Sequence, residues 1–348
     1  MVWKESKMII EKKFNWILLL ILIVTIFFSL FYGSVKVPIG EIIKVLFNQL
    51  GGFDFPVEKK SFTSIVFYVR LPRVLIGVIV GGALAICGCT MQSLLKNPIA
   101  DSSIVGISSG ASLGAIIAIS LGITGHSLFV MPILAIVMAL FVAGLVYGLA
   151  SLKGRTDNLL LILSGIAVSS FVGSISSLLL TTMVEAQLKE YIFWSIGSLS
   201  GRRWEHFNLA IVPISILIFL LTHYGKELNI LLLGDEEAKA LGIDIKSLRK
   251  RILIIVSLIT SISVCISGNI GFVGLIIPHI LRKLIGSDNR KLLKTSFLAG
   301  AFFITLCDLI SRTLFAPVEV GVGIITAIVG APYFIYLIIK IRKNGERI

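Results

Sequence analysis

Cysteine and histidine are the residue types that most often bind metal ions in proteins, and this 348-residue sequence arranges neither as a metal site. Its four cysteines all lie inside apolar stretches, without a Cys-x-x-Cys pair, and its four histidines are scattered. Zinc-type sites depend on such close ligand spacings. We therefore predict no metal site, and we interpret the cysteines as small packing residues, namely Cys87, Cys89, Cys265 and Cys307.

The glycine-rich segments lack the spacing that cradles nucleotide phosphates. Gly268-Asn-Ile-Gly271-Phe-Val-Gly274 does not follow the Gly-x-Gly-x-x-Gly pattern, and Gly225-Lys226 is followed by Glu227 instead of Ser or Thr. The apolar segments also contain neither a nucleophile beside a base nor a pair of carboxylates. We therefore expect no catalytic residue and no cofactor bound by this chain, which argues against a polytopic membrane enzyme.

The composition predicts that the cysteines and the glycine-rich segments lie in a chain of membrane-spanning helices. Hydrophobic residues make up 56% of the chain and charged residues 15%, with a mean hydropathy of +0.99. A spanning helix needs about 20 mostly apolar residues. The sequence predicts an all-α polytopic membrane protein with ten spans, at 16–32, 63–95, 103–121, 127–151, 158–181, 205–224, 250–268, 271–286, 294–312 and 321–341.

The net charge of +13 indicates how these spans are oriented. With ten spans both termini lie on one side, and roughly two thirds of the 32 lysines and arginines fall in the segments on that side. Because positive loop charge marks the cytoplasmic side, we predict that both termini are cytoplasmic. The basic composition is therefore explained by orientation in a lipid membrane, and we expect no nucleic-acid partner.

Few charged residues lie inside the spans. The spans at 103–121 and 127–151 contain no Asp, Glu, Lys or Arg, and the main intramembrane charges are Asp308 and Arg312, one helical turn apart. An ion-coupled secondary transporter of a small solute usually retains such charges for proton or sodium work. That alternative would need a relay, whereas an ion pair at i and i+4 is enough to explain these two residues.

Glycines at every fourth position suggest close helix packing. The pattern occurs in Gly77-x3-Gly81-x3-Ala85, Gly106-x3-Gly110-x3-Gly114 and Gly144-x3-Gly148. In lipid such spacing lets helix backbones approach each other closely. We predict that these glycines lie at helix contacts.

The segment between the sixth and seventh spans is unusually long for a connection. Residues 231–251 read LLLGDEEAKALGIDIKSLRKR, a short helix-forming piece that ends at Gly242 and is followed by basic residues. A simple connection could be a handful of residues. The segment could form a docking helix for a partner, or it could be a solvated amphipathic loop.

At this segment the chain resembles the permeases of the FecCD family, which are bacterial ABC importers of iron-siderophore complexes, haem and cobalamin. The resemblance runs from about Arg70 to Lys340. Its motifs include Arg70-Leu-Pro-Arg73, Asn97-Pro-Ile-Ala-Asp101, Leu233-Gly-Asp-Glu-Glu-Ala-Lys-Ala-Leu-Gly242, Gly271-Phe-Val-Gly274-Leu-Ile-Ile-Pro278-His279-Ile-Leu-Arg282 and Asp308-Leu-Ile-Ser-Arg312.

Two positions depart from the family pattern. Ser102 stands where many members have a proline, and Glu319-Val-Gly-Val-Gly323 replaces the usual Glu-Leu-Pro-Val-Gly. Gly321 thus lacks the fixed φ of a proline at the mouth of the last span.

The resemblance implies a permease of the type II ABC importer kind in a bacterial plasma membrane, with residues 1–348 as one domain. Its partners would be a second permease subunit, two ATPase subunits that hold ATP and Mg, and an extracytoplasmic substrate-binding protein. Within residues 225–249, the resemblance assigns the coupling helix that contacts the ATPase to Gly234, Asp235, Glu236, Glu237, Ala238, Leu241 and Gly242.

The resemblance also assigns three arginines to docking of the binding protein. Arg70, Arg73 and Arg312 match positions at which relatives grip carboxylates of the binding protein. A guanidinium suits this task because it holds a carboxylate through two hydrogen bonds. Alternatively, the three arginines simply snorkel at the membrane interface. If they dock a partner from an exposed position, reversing Arg70 and Arg73 to glutamate should abolish stimulation of ATPase activity by the binding protein and leave assembly intact.

A cytoplasmic gate is implied at two loops. Asn97, Pro98 and Ile99 match one loop that narrows the pathway in relatives, and Asn158 matches the other. Asn-Pro is also a strong turn signal in its own right. For the substrate, a metal chelate, the resemblance gives ferric siderophore first, then haem and cobalamin.

Overall fold

The computed structural model describes residues 2–125, 127, 129–151, 158–316 and 318–344. These residues form helices and connecting turns, without a β-strand among them. The fourteen helices of this described part are α1 Val2–Phe31, α2 Ile39–Gly51, α3 Lys60–Leu94, α4 Ile107–Ser120, α5 Val130–Ala150, α6 Asn158–Thr181, α7 Glu185–Ile196, α8 Trp204–His223, α9 Gly225–Leu233, α10 Asp235–Ala240, α11 Ile245–Ser267, α12 Val273–Ile285, α13 Asn289–Thr313 and α14 Val322–Asn344.

Each of the ten predicted spans falls on a helix, but not every helix is long. Seven of the described helices are long and apolar enough to cross a membrane, namely α3, α5, α8, α11 and α13 with most of α1 and α6. The span predicted at 103–121 is shorter, because Ser102–Val105 forms a 3-10 turn and Gly106 is left-handed, with φ of 75°. The span at 271–286 is shortened by Phe272, which has φ of 69°.

Three helices between the spans, α2, α7 and the short α9, escaped prediction. Helix α2 begins after Pro38 and ends at the left-handed Gly52, and α7 occupies the connection between α6 and α8. Both lie in segments that are too polar or too short for a hydropathy criterion. Within α3, Ser64–Arg70 has π-helical hydrogen bonding, which rotates Arg70 relative to a regular helix.

Helix α3 runs through the centre of the bundle. From Leu71 to Leu94 nearly every one of its side chains is buried, whereas α6 and α8 are largely exposed. The apolar side chains that α6 and α8 leave exposed suit contact with lipid or another membrane subunit. All four cysteines are buried and free, as predicted for packing residues.

The predicted glycine contacts are confirmed on α3 and α4 and are absent on α5. A Cβ built at Gly81 would lie 2.3 Å from the carbonyl oxygen of Gly300, and one at Gly114 would lie 2.4 Å from that of Leu134. In contrast, a Cβ at Gly144 or Gly148 would meet no described atom within 4 Å. The spacing of glycines therefore predicts close approach only where a neighbouring helix of the chain lies opposite.

The two ends of the bundle carry different side chains. We call the end that holds α10 the Asp235 face, and the opposite end the Arg73 face. At the Asp235 face Asp244 accepts a hydrogen bond from the Ser247 amide at 3.2 Å and begins α11, and Asp288 likewise begins α13. Such N-caps satisfy amides that a helix leaves free at its start.

Candidate functional site

Arg70 lies at the Arg73 face and binds the end of α1. Its guanidinium donates to the carbonyl oxygens of Leu30, at 2.6 Å, and Phe31, at 3.0 Å, and it also donates to that of Val35. The last carbonyls of a helix have no partner within the helix and attract positive charge. Arg70 therefore fastens α1 to the central helix α3.

Arg73, one turn further along α3, holds two carboxylates. Its Nε lies 2.9 Å from Oδ1 of Asp308, and its Nη1 lies 2.8 Å from Oε2 of Glu319. Asp308 is on α13, and Glu319 is in the loop before α14. One guanidinium thus joins three separate parts of the chain by charge-assisted hydrogen bonds.

Arg312 completes this cluster from the other side of Asp308. Its Nε is 3.5 Å from Oδ2 of Asp308, which confirms the ion pair predicted one turn apart on this helix. The same guanidinium donates to the carbonyl oxygen of Ser29 near the end of α1. We call Arg73, Asp308, Arg312 and Glu319 the arginine cluster.

The sequence interpretation assumed that the arginines are exposed at the mouth of the bundle. The structure shows that they are buried. Arg70, Arg73 and Arg312 expose only 3%, 4% and 2% of their surface. They bind helix ends and carboxylates of the same chain, which also excludes a snorkelling role. Reversing Arg70 and Arg73 to glutamate is therefore expected to disrupt assembly, because each change would bury an uncompensated negative charge. The docking role itself stays a prediction.

Glu319 is the member of the cluster nearest to solvent. Burial alone would raise its pKa, but the positive charge of Arg73 and hydrogen bonds from Arg73, Ser200 and Ser34 outweigh burial and hold the pKa below its usual value. Glu319 is therefore ionised at neutral pH. From the sequence, Glu319 is only one residue of a motif, since nothing in the local sequence pairs it with Arg73.

At the Asp235 face, α10 is a single short helix between two glycines. Gly234 has an extended backbone at positive φ, 149°, and a Cβ there would overlap the Glu237 carboxylate. At the other end Gly242 is left-handed, the Gly242 amide donates to Lys239, and the Ile243 amide donates to Ala238. This is the hydrogen-bonding pattern of a helix that stops at glycine. The expected helix-forming piece and its end at Gly242 are both present.

Ion pairs fix α10 to two other segments. Asp235 lies 3.0 Å from Nζ of Lys96, in the loop after α3, and 3.0 Å from Nη2 of Arg249, on α11. Burial alone would raise the pKa of Asp235, but the hydrogen bond from Lys96 and the charges of Arg249 and Lys96 lower it. Lys96 is 139 residues away in sequence, so sequence reasoning missed this contact.

The outer surface of α10 carries apolar side chains beside acidic ones. Leu233 and Leu241, at its two ends, expose 67% and 62% of their surface, and Glu236 and Glu237 are also exposed. Ala238 is buried beneath them. Large apolar residues on a helix fixed by ion pairs form a surface suited to a protein partner.

The loop after Lys96 forms a tight turn. The Asn97 side chain accepts a hydrogen bond from the Ile99 amide at 3.0 Å, and the Ala100 amide donates to the Asn97 carbonyl. Pro98 occupies the turn, and Ile99 lines a cavity of about 330 Å³ together with Asp101. The turn interpretation of Asn-Pro is therefore confirmed, and the gate assignment stays a prediction.

The second loop assigned to the gate cannot be compared in the same way. Asn158 begins α6, but its side chain and residues 152–157 lie outside the described part of the chain. The structure therefore does not bring Asn97 and Asn158 together in one described site.

Comparisons with known proteins agree over most of the chain. Residues 21–340 match the FecCD transport family. The chain is 40% identical to a cobalamin import system permease of Halobacterium salinarum, over 88% of this chain and 86% of that protein. It is 38% identical to a hemin transport system permease of Yersinia pestis, over 79% and 83%.

A solved structure extends the likeness to the fold. A protein described as a metal-chelate type ABC transporter, in an inward-facing conformation, is 32% identical and superposes with a TM-score of 0.82, over 94% of this chain and 99% of that one. Both the family match and these identities cover far more than half of the sequence. The chain therefore belongs to the FecCD transport family, and its all-helical architecture is that of a type II ABC importer permease.

Proposed function

We propose that this chain, as a single domain over residues 1–348, is the permease subunit of an ATP-driven importer that carries a metal chelate into the cytoplasm. The observation that carries the proposal is α10, a short helix that is fixed by two ion pairs and flanked by the exposed side chains of Leu233 and Leu241. A permease without a nucleotide site needs such a surface to receive motion from an ATPase. A second copy of the chain and two ATPase subunits holding ATP and Mg complete the proposed assembly.

In this proposal the Asp235 face and both termini are cytoplasmic. Closure of the ATPase pair would move α10, and the ion pairs of Asp235 would pass that motion to α11 through Arg249 and to the proposed gate loop through Lys96. The change is of the rigid-body kind, in which packed elements shift between two discrete arrangements. Asp235 thus gives the coupling segment a direct contact to the loop at Asn97.

Replacement of Leu241 by glutamate tests the coupling surface. We expect the ATPase subunits to dissociate from the purified permease, and ATP-driven uptake in proteoliposomes to fall about tenfold or more, since a charge would replace an apolar anchor at the centre of the contact. The matched control is Leu50→Glu, because Leu50 is similarly exposed, at 67% against 62% for Leu241, but lies on α2.

Two results would contradict the proposal. If Leu241→Glu retains the ATPase and full uptake, α10 is a solvated surface helix without a coupling role. If the wild-type permease imports its solute without any ATPase and responds to an ion gradient, the chain is an ion-coupled secondary transporter.

The substrate is proposed as a ferric siderophore, with haem and cobalamin as the next candidates. Ferric siderophore stands first from the family resemblance alone. Relatives whose names specify cobalamin and hemin support the two other candidates. Because the described residues form no cluster that would bind a metal, the walls would contact the organic part of a chelate. Uptake of labelled chelates by the reconstituted complex, with its binding protein, would distinguish these three classes.

Docking of the binding protein at Arg70, Arg73 and Arg312 is retained as a proposal with one added requirement. Carboxylates of the partner would have to replace groups that already hold these arginines, such as Glu319 on Arg73. Glu319 is the accessible member of the cluster, with a side chain that is 31% exposed. Exchange at Glu319 would therefore be the first step of docking.

The proposed gate predicts a nucleotide-dependent distance between subunits. Cysteines introduced at positions 97 and 158 should cross-link across the dimer in one nucleotide state and not in another. The four native cysteines are buried, so the introduced thiols should be the ones that react first. Equal cross-linking with and without nucleotide would contradict a gating role for these loops.

A further inference from the structure

A cavity of about 340 Å³ opens at the Arg73 face, outside the arginine cluster and away from α10. It lies where α7 ends and the loop at 197–203 leads into α8, and its polar lining comprises Glu190, Trp194, Ser198, Ser200 and Arg202. A neighbouring cavity of about 180 Å³ shares Arg202 and Glu190 with it. Arg202 therefore stands between the two cavities and faces both.

Arg202 has no ion-pair partner in the described part of the chain. Its Nε is buried without an acceptor, and burial lowers the pKa of its guanidinium. A buried donor without an acceptor is costly, so native proteins rarely retain one unless a ligand or water completes it. Arginine nevertheless stays charged at any physiological pH.

A second donor without a partner lies in the same cavity. Trp194 exposes only 8% of its surface, and its indole Nε1–H has no acceptor among the described residues. Indole N–H groups can only donate hydrogen bonds. The two unpaired donors therefore belong to side chains that line the cavity, and one of these side chains is positively charged.

The hydroxyl groups nearby are already committed. Ser198 Oγ accepts from the Ser200 amide at 3.1 Å, and the Ser200 hydroxyl hydrogen-bonds Glu319. The loop is also fixed by the Ser198 amide, which donates to the Ser267 carbonyl at 2.8 Å. Arg202 and Trp194 are therefore presented by a loop that is fastened to α11 and to the arginine cluster.

The acidic residues that line the two cavities do not neutralise the charge of Arg202 or accept a hydrogen bond from Trp194 among the described contacts. Glu190 lines both cavities but is exposed, so water screens its charge. Glu205 and His206 line only the smaller cavity, and neither forms an ion pair with Arg202 among the described contacts. An anion that enters the larger cavity would meet Arg202 and Trp194 together.

We propose that this cavity binds an anionic oxygen group of the transported chelate, a carboxylate or a catecholate, through Arg202 and Trp194. This inference rests on the proposed import function and narrows its substrate to chelates that carry negative charge. The cavity is large enough for that group and its immediate substituents, not for an entire chelate. Charge-assisted hydrogen bonds to a guanidinium would orient the chelate at the Arg73 face before it crosses the bundle.

Direct binding to the purified permease–ATPase complex in nanodiscs tests the site. The probes are a ferric tris-catecholate chelate, which is anionic, and a ferric tris-hydroxamate chelate, which has no net charge. Replacement of Arg202 by glutamine should weaken binding of the anionic chelate about ten- to a hundredfold and leave the neutral chelate unaffected. Arg202→Lys, which keeps the positive charge, should lose less affinity for the anionic chelate. A monodisperse peak in size-exclusion chromatography would show that this variant is folded. The matched control is Arg203→Gln, because the adjacent Arg203 is exposed and lines neither cavity.

The outcomes separate this site from the proposed function. Equal binding of the anionic chelate by wild type and Arg202→Gln would overturn the site, and so would an absence of binding to the wild type. A loss of binding-protein-stimulated ATPase activity with unchanged chelate binding would also overturn it, since Arg202 would then dock a carboxylate of the binding protein. ATP-driven uptake by the wild type, which the proposed function requires, is measured separately in proteoliposomes.

Discussion

Replacing Asp308 with asparagine should destabilise the permease by about 3–5 kcal/mol, because it removes one partner from a buried set of charges. Asp308 is 1% exposed and lies between Arg73 and Arg312, which are also buried. Asparagine keeps the size of the side chain but not its charge. Both guanidiniums would remain in the interior with Glu319 as the only nearby carboxylate among the described residues.

Thermal unfolding of the detergent-solubilised permease would measure this effect, together with the yield of monodisperse protein. The control is Glu185→Gln, which removes an equivalent charge from an exposed pair with Lys189 on α7. Exposed pairs of this kind contribute about 0–1 kcal/mol, so the control should unfold near the wild-type temperature. Similar stability of Asp308→Asn and wild type would show that the arginine cluster does not hold α3, α13 and the loop before α14 together.

Replacing Gly88 with alanine should strongly destabilise the core, because the added methyl group would meet backbone atoms of another helix. A Cβ at Gly88 would lie 1.9 Å from the carbonyl oxygen of Gly274, where α3 crosses the first turn of α12. Both atoms belong to backbones, so neither can move aside by a change of rotamer. Overpacking of this kind costs about 1–3 kcal/mol and occasionally more. The displaced α12 would also disturb the cavity that Ile99, Asp101 and Gly274 line.

The matched control for Gly88→Ala is Gly144→Ala on α5. Gly144 is also a glycine in a membrane-spanning helix, but a Cβ there meets no described atom within 4 Å. Alanine favours helix more than glycine does, so this variant should be as stable as wild type or slightly more stable. Comparable unfolding temperatures for the two alanine variants would contradict the close approach of α3 and α12.

Sequence alone located the membrane-spanning helices and the segment at α10. Hydropathy is a local property, so each predicted span falls on a helix, and Gly234 and Gly242 mark the bounds of α10 because they take backbone conformations that other residues resist. The same reasoning failed for α2, α7 and α9, which lie outside the spans. It also predicted a close helix contact at the glycines of α5 that the described residues do not make, because spacing does not reveal whether another helix lies opposite.

Only the tertiary structure decided what the arginines and the coupling segment contact. Arg73 meets Asp308 across 235 residues and Glu319 across 246, and Lys96 meets Asp235 across 139. Sequence can show that a guanidinium is present near the end of a span, but its exposure depends on whether distant carboxylates and helix ends reach it. Composition and local pattern therefore fixed the spans and the family resemblance, while burial, ion pairing and the unpaired donors at Arg202 and Trp194 followed from how the helices pack.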